Sequence, residues 1–207
     1  MKKILVLAPH TDDGELGCGA TLSKMLKMGN EVFYVAFSSC RESVSSDLPA
    51  NILEIELMDA MRKLGIKEEN VQVLDFSVRN FGSERQRVLD CMIEMNKRIS
   101  PDLVFMPSTN DTHQDHKVIA EEGVRAFKHT SILCYEVPWN NFQFSNQVFS
   151  VVDVDDVKNK IEAVRCYKSQ EHRVYTTDEY IRALLITHGV QCGTKYAEVF
   201  ETPRWIL

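Results

Sequence analysis

An alternation along the chain narrows the fold most. Short, continuously apolar runs, "KILVLA", "EVFYVAF", "VQVLDF", "DLVFMP" and "SILCYEV", are separated by longer segments of helical periodicity. A run that is apolar at every residue suits a strand covered on both faces, the usual state of a parallel sheet. Between these runs, Leu16, Ala20, Leu22, Met25 and Leu26 recur at near-helical spacing up to Gly29. Leu53, Leu57, Met61 and Leu64 do so up to Gly65, and Val88, Met92 and Ile99 up to Pro101. These are helices with glycine or proline stops. The pattern also predicts a helix from about Asp115 to Phe127, a strand over "VFSVVDV", helices near 155–167 and 177–187, and a last strand near 197–202. Parallel strands are joined by right-handed helical crossovers. The expected fold is therefore α/β, a single-domain Rossmann-like three-layer sandwich with a mostly parallel sheet.

With 207 residues, 44% of them hydrophobic, the chain can bury one sizeable core but not two comfortable ones, so residues 1–207 are read as one domain. A net charge of -6 argues against a nucleic-acid partner, which needs a cationic footprint. No stretch approaches the roughly 18 apolar residues that cross a bilayer, and "MKKILVLAPHTDD" reads as a first strand rather than a signal peptide. The six cysteines lack C-x-x-C spacing and sit mostly in apolar patterns, as reduced cytoplasmic thiols do. The number of chains that associate is not legible, and a homo-oligomer stays open.

Two polar clusters follow strands one and four: "APHTDDGELGCG" and "NDTHQDH". In the common doubly wound order those strands are neighbours, and ligands bind where the winding reverses, at the carboxyl ends. His10 and Asp13 are three residues apart, as are His113 and His116. Two imidazoles and a carboxylate with an open fourth position form the donor set of a catalytic zinc site. His10, Asp13 and His116 are assigned to the metal, Asp12 to general base, and His113 to general acid or oxyanion partner. Asp115 is placed to orient an imidazole from behind. Zinc is the default ion, although iron, cobalt or manganese suit the same ligands.

Two plainer explanations compete. Asp12 with Glu15, and Thr112 with Asp115, have capping-box spacing, so the aspartates can be helix caps, although capping leaves the three histidines unexplained. Gly14, Gly17 and Gly19 suggest a dinucleotide turn, but their order is G-x-x-G-x-G and strand two ends in "AFSS" without a ribose-binding acid. Close helix packing accounts for the glycines.

The segments "HTDDGELGCGATL" and "HQDH" resemble the signatures of the PIG-L-like, or LmbE-like, zinc deacetylases, H-P-D-D and H-P-D-H. "KSQ" at 168–170 and "YAEVFE" at 196–201 are similar to later family segments, so the resemblance spans nearly the whole chain. It implies removal of acetyl groups from N-acetylglucosamine units or related amides, with metal on His10, Asp13 and His116, base on Asp12, and acid or oxyanion partner on His113. It also implies a substrate role for Arg41, with Glu42 beside it. Thr11 and Gln114 replace the usual prolines, and Gly14 stands where an acidic residue is common, which predicts a looser turn. Trp139, Phe142 and Phe144 offer aromatic faces for a sugar ring. "HGVQCGTK", with His188 and Cys192, is placed to fold over the pocket.

The expected partner is thus a small sugar or glycoconjugate, and the expected activity a metal-dependent N-deacetylase. The rivals are an amidase on a non-sugar N-acyl substrate, another metallohydrolase such as a phosphoesterase, and a catalytically weak glycan- or metal-binding module of the same fold.

Overall fold

A computed structural model describes residues 1–207. In chain order the elements are β1 (Lys3–Ala8), α1 (Asp13–Lys27), β2 (Glu31–Ala36), α2 (Ile52–Leu64), β3 (Val71–Val73), α3 (Arg85–Ile99), β4 (Leu103–Pro107), α4 (Gln114–Ala126), β5 (Ser131–Tyr135), β6 (Val148–Val151), α5 (Val154–Val164), α6 (Asp178–Gln191) and β7 (Ala197–Arg204). They form one seven-stranded sheet of order β3-β2-β1-β4-β5-β7-β6. The first five strands pair in parallel, while β7 runs antiparallel to both β5 and β6. This is the expected α/β three-layer sandwich.

Alternate residues of β1 enter opposite layers, which is why that strand is apolar throughout. Ile4, Val6 and Ala8 face one core with Cys18 and Leu22 of α1 and Leu57 and Met61 of α2. Leu5 and Leu7 face the other, with Val88 and Met92 of α3 and Val118 and Ile119 of α4. β3 is shorter than "VQVLDF" suggested. Its pairing still continues past the strand, because Leu74 N donates to Ala36 O and Phe76 N to Phe37 O.

The crossover behind β1 places β4 beside it, with Ile4 opposite Leu103 and Val6 opposite Phe105. The polar loops after both strands therefore leave the sheet at the same edge. Two glycines make the close approach of α1 to the sheet possible. A Cβ on Gly14 would lie 2.5 Å from Tyr34 Cε2, and one on Gly17 would lie 2.3 Å from Tyr135 Cδ2.

Helix α1 kinks at Cys18 (φ -140°). A buried ion pair braces the kink: Lys160 Nζ donates to Leu16 O at 2.7 Å, and Ala20 N donates to Glu198 Oε1 at 3.1 Å. Thr21 N also donates to Glu198 Oε2 at 2.7 Å, so α5 and β7 fix the shape of the helix that begins the polar turn. No helix is long and apolar enough to cross a membrane. All six cysteines are free thiols.

Candidate metal centre and active site

Three donor atoms converge above the carboxyl ends of β1 and β4. His10 Nδ1 lies 3.1 Å from Asp13 Oδ2, His116 Nε2 lies 3.3 Å from the same oxygen, and the two nitrogens are 3.2 Å apart. The outer nitrogen of each ring faces another carboxylate. His10 Nε2 is 3.1 Å from Asp115 Oδ2, and His116 Nδ1 is 2.8 Å from Asp111 Oδ2. A neutral imidazole has one N–H, and here the outer carboxylates claim it on both rings. Both inner nitrogens then present bare lone pairs toward each other and toward a carboxylate oxygen. Such a cage favours a cation.

The electrostatics of these groups express the same demand for positive charge, which a proton meets when no ion is bound. Burial alone would pull His10 down, but Asp13 and Asp115 outweigh it and raise the imidazole to about 9. His116 is likewise lowered by burial and raised further, to about 10, by Asp13 and Asp111. Burial opposes ionisation of Asp13, yet His116 and His10 hold it well below the usual carboxylate range. The donor set also fits a tetrahedral ion in size, since metal–ligand bonds of about 2.1 Å separate ligands by about 3.4 Å. A set of His10, His113 and His116 is looser, with ligand atoms up to 4.8 Å apart.

The outer carboxylates are themselves fixed. Arg79 N, in the left-handed region at φ 68°, donates to Asp115 Oδ2 at 2.5 Å, and Phe81 N donates to Asp115 Oδ1 at 3.3 Å. Asp111 Oδ1 accepts from His113 N at 2.8 Å. Carboxylates that orient ligating histidines from behind are a regular part of metal sites.

The capping explanation for the aspartates finds no support. Asp12 is the N-cap of α1, yet its side chain makes no cap hydrogen bond, and Asp13 instead accepts from His10 N at 2.8 Å. The N-cap of α4 is His113, whose Nδ1 accepts from Asp115 N at 3.2 Å. With Nδ1 occupied, the neutral ring carries its proton on Nε2. Burial, then the neighbouring His116 and His10, lower His113 below the ordinary imidazole value. Burial and the adjacent Asp13 charge push Asp12 up to about 6.

The turn that carries Thr11 and Gly14 is tied to neighbouring elements. Thr11 is buried, and Gly14 N donates to Tyr34 Oη at 3.0 Å. Tyr34 Oη lies 3.0 Å from Thr11 O and 2.6 Å from Glu15 Oε2, while Tyr167 Oη lies 2.8 Å from Thr11 O and also contacts Glu15 Oε1. Two hydroxyl protons cannot fill four contacts to three acceptor atoms. Burial pushes Glu15 up to about 8, so near neutral pH its carboxyl supplies a third proton. The Tyr34 ring fills the space above Gly14, and the two hydroxyls clamp the turn that a proline would otherwise stiffen.

Asp12, Asp13, His10, His113 and His116 all face one cleft of about 240 Å3. Its rim comes from the loops after β2 and β5 and from the segment between α5 and α6: Cys40, Ser43, Trp139, Asn140, Gln170, Arg173 and Tyr175. Trp139 stacks on Tyr175, with ring centroids 3.9 Å apart and planes within 13°. Asn140 O accepts from Thr112 N and Thr112 Oγ1, tying the Trp139 loop to the His113 loop.

Arg41 and Glu42 are not brought to this cleft. Arg41 is exposed and held by Glu54 at 2.6 Å, and Glu42 points to solvent. The loop after β2 gives Cys40, in a left-handed conformation (φ 54°), and Ser43 to the rim, while the Arg41 and Glu42 side chains leave it for solvent. Phe142 and Phe144 also lie outside the cleft, and His188 is buried on α6, 3.3 Å from Glu136. The sequence reading missed Asp111, Gln170, Arg173 and Tyr175 as site residues. Asp111 stood inside a quoted cluster and Gln170 inside the quoted "KSQ", but Arg173 and Tyr175 carry no local signal, since only the tertiary return of the α5–α6 segment brings them over β1.

A family model described as PIG-L, GlcNAc-PI de-N-acetylase, matches residues 5–127, more than half of the chain. The diacetylchitobiose deacetylase of Thermococcus kodakarensis is 24% identical over 96% of this chain and 82% of its own length. Among solved structures, a conserved protein of Thermus thermophilus superposes with a TM-score of 0.83 at 25% identity, covering 100% of this chain and 97% of that one. The 4-carboxy-2-hydroxymuconate hydratase of Pseudomonas putida shares the fold at 19% identity, with a TM-score of 0.80 and coverage of 100% and 98%.

Proposed function

Because the chain belongs to the PIG-L family, we propose that it is a metal-dependent hydrolase that removes the acetyl group from an N-acetylated sugar or sugar conjugate, with zinc as the default ion. The observation that carries this is the cage of three bare donor atoms, His10 Nδ1, Asp13 Oδ2 and His116 Nε2, opening into a cleft beside Asp12 and His113. These three residues would hold the ion. When bound, it supplies Lewis acidity, which acidifies water toward a pKa of about 7 and polarises a carbonyl.

The remaining steps belong to side chains of this chain. Asp12 makes no capping bond, so its carboxylate is free to take a proton from the water that attacks the acetyl carbon. His113 presents Nε2–H, because its Nδ1 is occupied, and donates it to the oxygen on which negative charge develops. As the C–N bond breaks, Asp12 returns its proton to the amine nitrogen, and acetate and a free amine leave. Asp111 and Asp115 hold the two ligating rings throughout.

The same fold serves a hydratase, so architecture alone does not choose the reaction. Product analysis does. Metal-loaded protein incubated with N-acetylglucosamine, diacetylchitobiose and sugar-phosphate derivatives is expected to release acetate and primary amine in equal amounts. Fully loaded protein that releases neither from any of them overturns the deacetylase reading.

A further inference from the structure

We propose that the substrate carries an oxyanion substituent, a carboxylate or a phosphate, and that Arg173 binds it at the rim of the cleft. This rests on the deacetylase reading of the same site and goes on to name the charge class of what enters it.

Arg173 is the single lysine or arginine among the residues lining the cleft. Its Nε donates to Gln170 Oε1 at 2.7 Å, and its guanidinium carbon lies 5.7 Å from the Tyr175 ring centroid. No carboxylate comes within 4 Å of it, which is true also of Arg79, Arg98, Arg182 and Arg204, but of these five only Arg173 lines the cleft. The acidic group it feels is Asp12 on the cleft floor, which lies beyond ion-pair distance.

Its supports leave it presentable. Gln170 takes one edge, and Tyr175 is anchored by its stack on Trp139. The Nη donors, the pair that reads a carboxylate or phosphate in bidentate fashion, meet no carboxylate within 4 Å and share the rim with the Tyr175 hydroxyl. Electrostatics also orients the ligand. The floor carries Asp12 and Asp13, which repel an anion, so a substrate with a neutral acetamide at one end and a negative group at the other enters acetamide first. The net charge of -6 repels such a substrate at long range, and a local cation offsets that.

The test uses binding and turnover side by side on metal-loaded full-length protein, wild type and Arg173→Gln. Calorimetric titration with glucosamine, glucosamine 1-phosphate, glucosamine 6-phosphate and muramic acid reads the preference independently of catalysis. The corresponding N-acetyl sugars read it as a ratio of kcat/KM values. Wild type is expected to favour at least one anionic sugar over the neutral one by about 10-fold or more, the scale of a charge-assisted bidentate contact, and added salt weakens that preference. The phosphate and muramic acid arms separate the two oxyanions. In Arg173→Gln the anionic-to-neutral ratio falls toward one, and Arg173→Lys keeps part of it. A merely structural arginine lowers both sugars alike and leaves the ratio unchanged. That result, or a wild type indifferent to charge, overturns the proposal. Anionic preference in binding without any acetate release overturns the deacetylase reading and leaves Arg173 as an anion-binding residue.

Discussion

The floor and the rim of the cleft are built on opposite terms. On the floor, Asp111 and Asp115 are buried, each bonded to one imidazole and to backbone N–H groups, so the position of every donor is determined from two sides. On the rim, Trp139 is 38% exposed and Arg173 has one side-chain hydrogen bond. A metal site tolerates little displacement of its donors, whereas a substrate-contacting surface can vary with the substrate. The contrast assigns chemistry to the floor and selectivity to the rim, and graded substitutions can break it.

His116→Ala should have the largest effect. It removes one of three inner donors and leaves Asp13 and Asp111 without the imidazole that both face. Metal content, expected at about one ion per chain in wild type, falls to near none, and acetate release falls by roughly 1000-fold or more. A His116→Ala protein that still holds one ion would show that the three-donor cage is not the metal site. Asp12→Asn comes next, with turnover reduced by about 100- to 10,000-fold while metal content is kept. Loss of metal in that variant would move Asp12 from base to ligand.

Asp111→Asn sharpens the boundary of the floor. It keeps the shape of the side chain but withdraws the charge behind His116 Nδ1. Metal affinity should weaken by about 10- to 100-fold, read by competition with a chelator. An unchanged affinity would mean that the buried carboxylate serves only the His113 N–H. Gly14→Ala tests the clamp beneath the floor. Its new Cβ meets the Tyr34 ring, and the overpacking should cost about 1–3 kcal/mol, a fall of several degrees in the thermal midpoint. No fall would show that Tyr34 has room to move.

The same division explains what could be read without coordinates. Strand and helix order was legible because the central parallel strands are apolar on both faces and the first three helices have a periodic stripe with a glycine or proline stop. The floor was legible because its residues lie in two short segments, and the adjacency of β1 and β4 follows from crossover topology. The setting of Gly14 was not legible. Its meaning depended on Tyr34 and Tyr167, 20 and 153 positions away, and no local pattern connects them. Arg173 was invisible for the same reason, and Arg41 was favoured because it resembles an arginine that the family uses near the substrate.

Arg41 therefore gives the smallest and most discriminating prediction. Its guanidinium is 60% exposed and donates to Glu54 Oε1 through both Nε and Nη2, a pairing made outside the cleft. Exposed ion pairs contribute about 0–1 kcal/mol, so Arg41→Ala should shift the thermal midpoint by a few degrees at most. The anionic-to-neutral kcat/KM ratio that Arg173→Gln collapses should stay within about two-fold of wild type, because no group on Arg41 lines the site. If Arg41→Ala instead collapsed that ratio, the loop after β2 would have to swing over the cleft when substrate binds. The rim would then be a moving part, with Glu54 as the latch that holds Arg41 away until an anion competes for it.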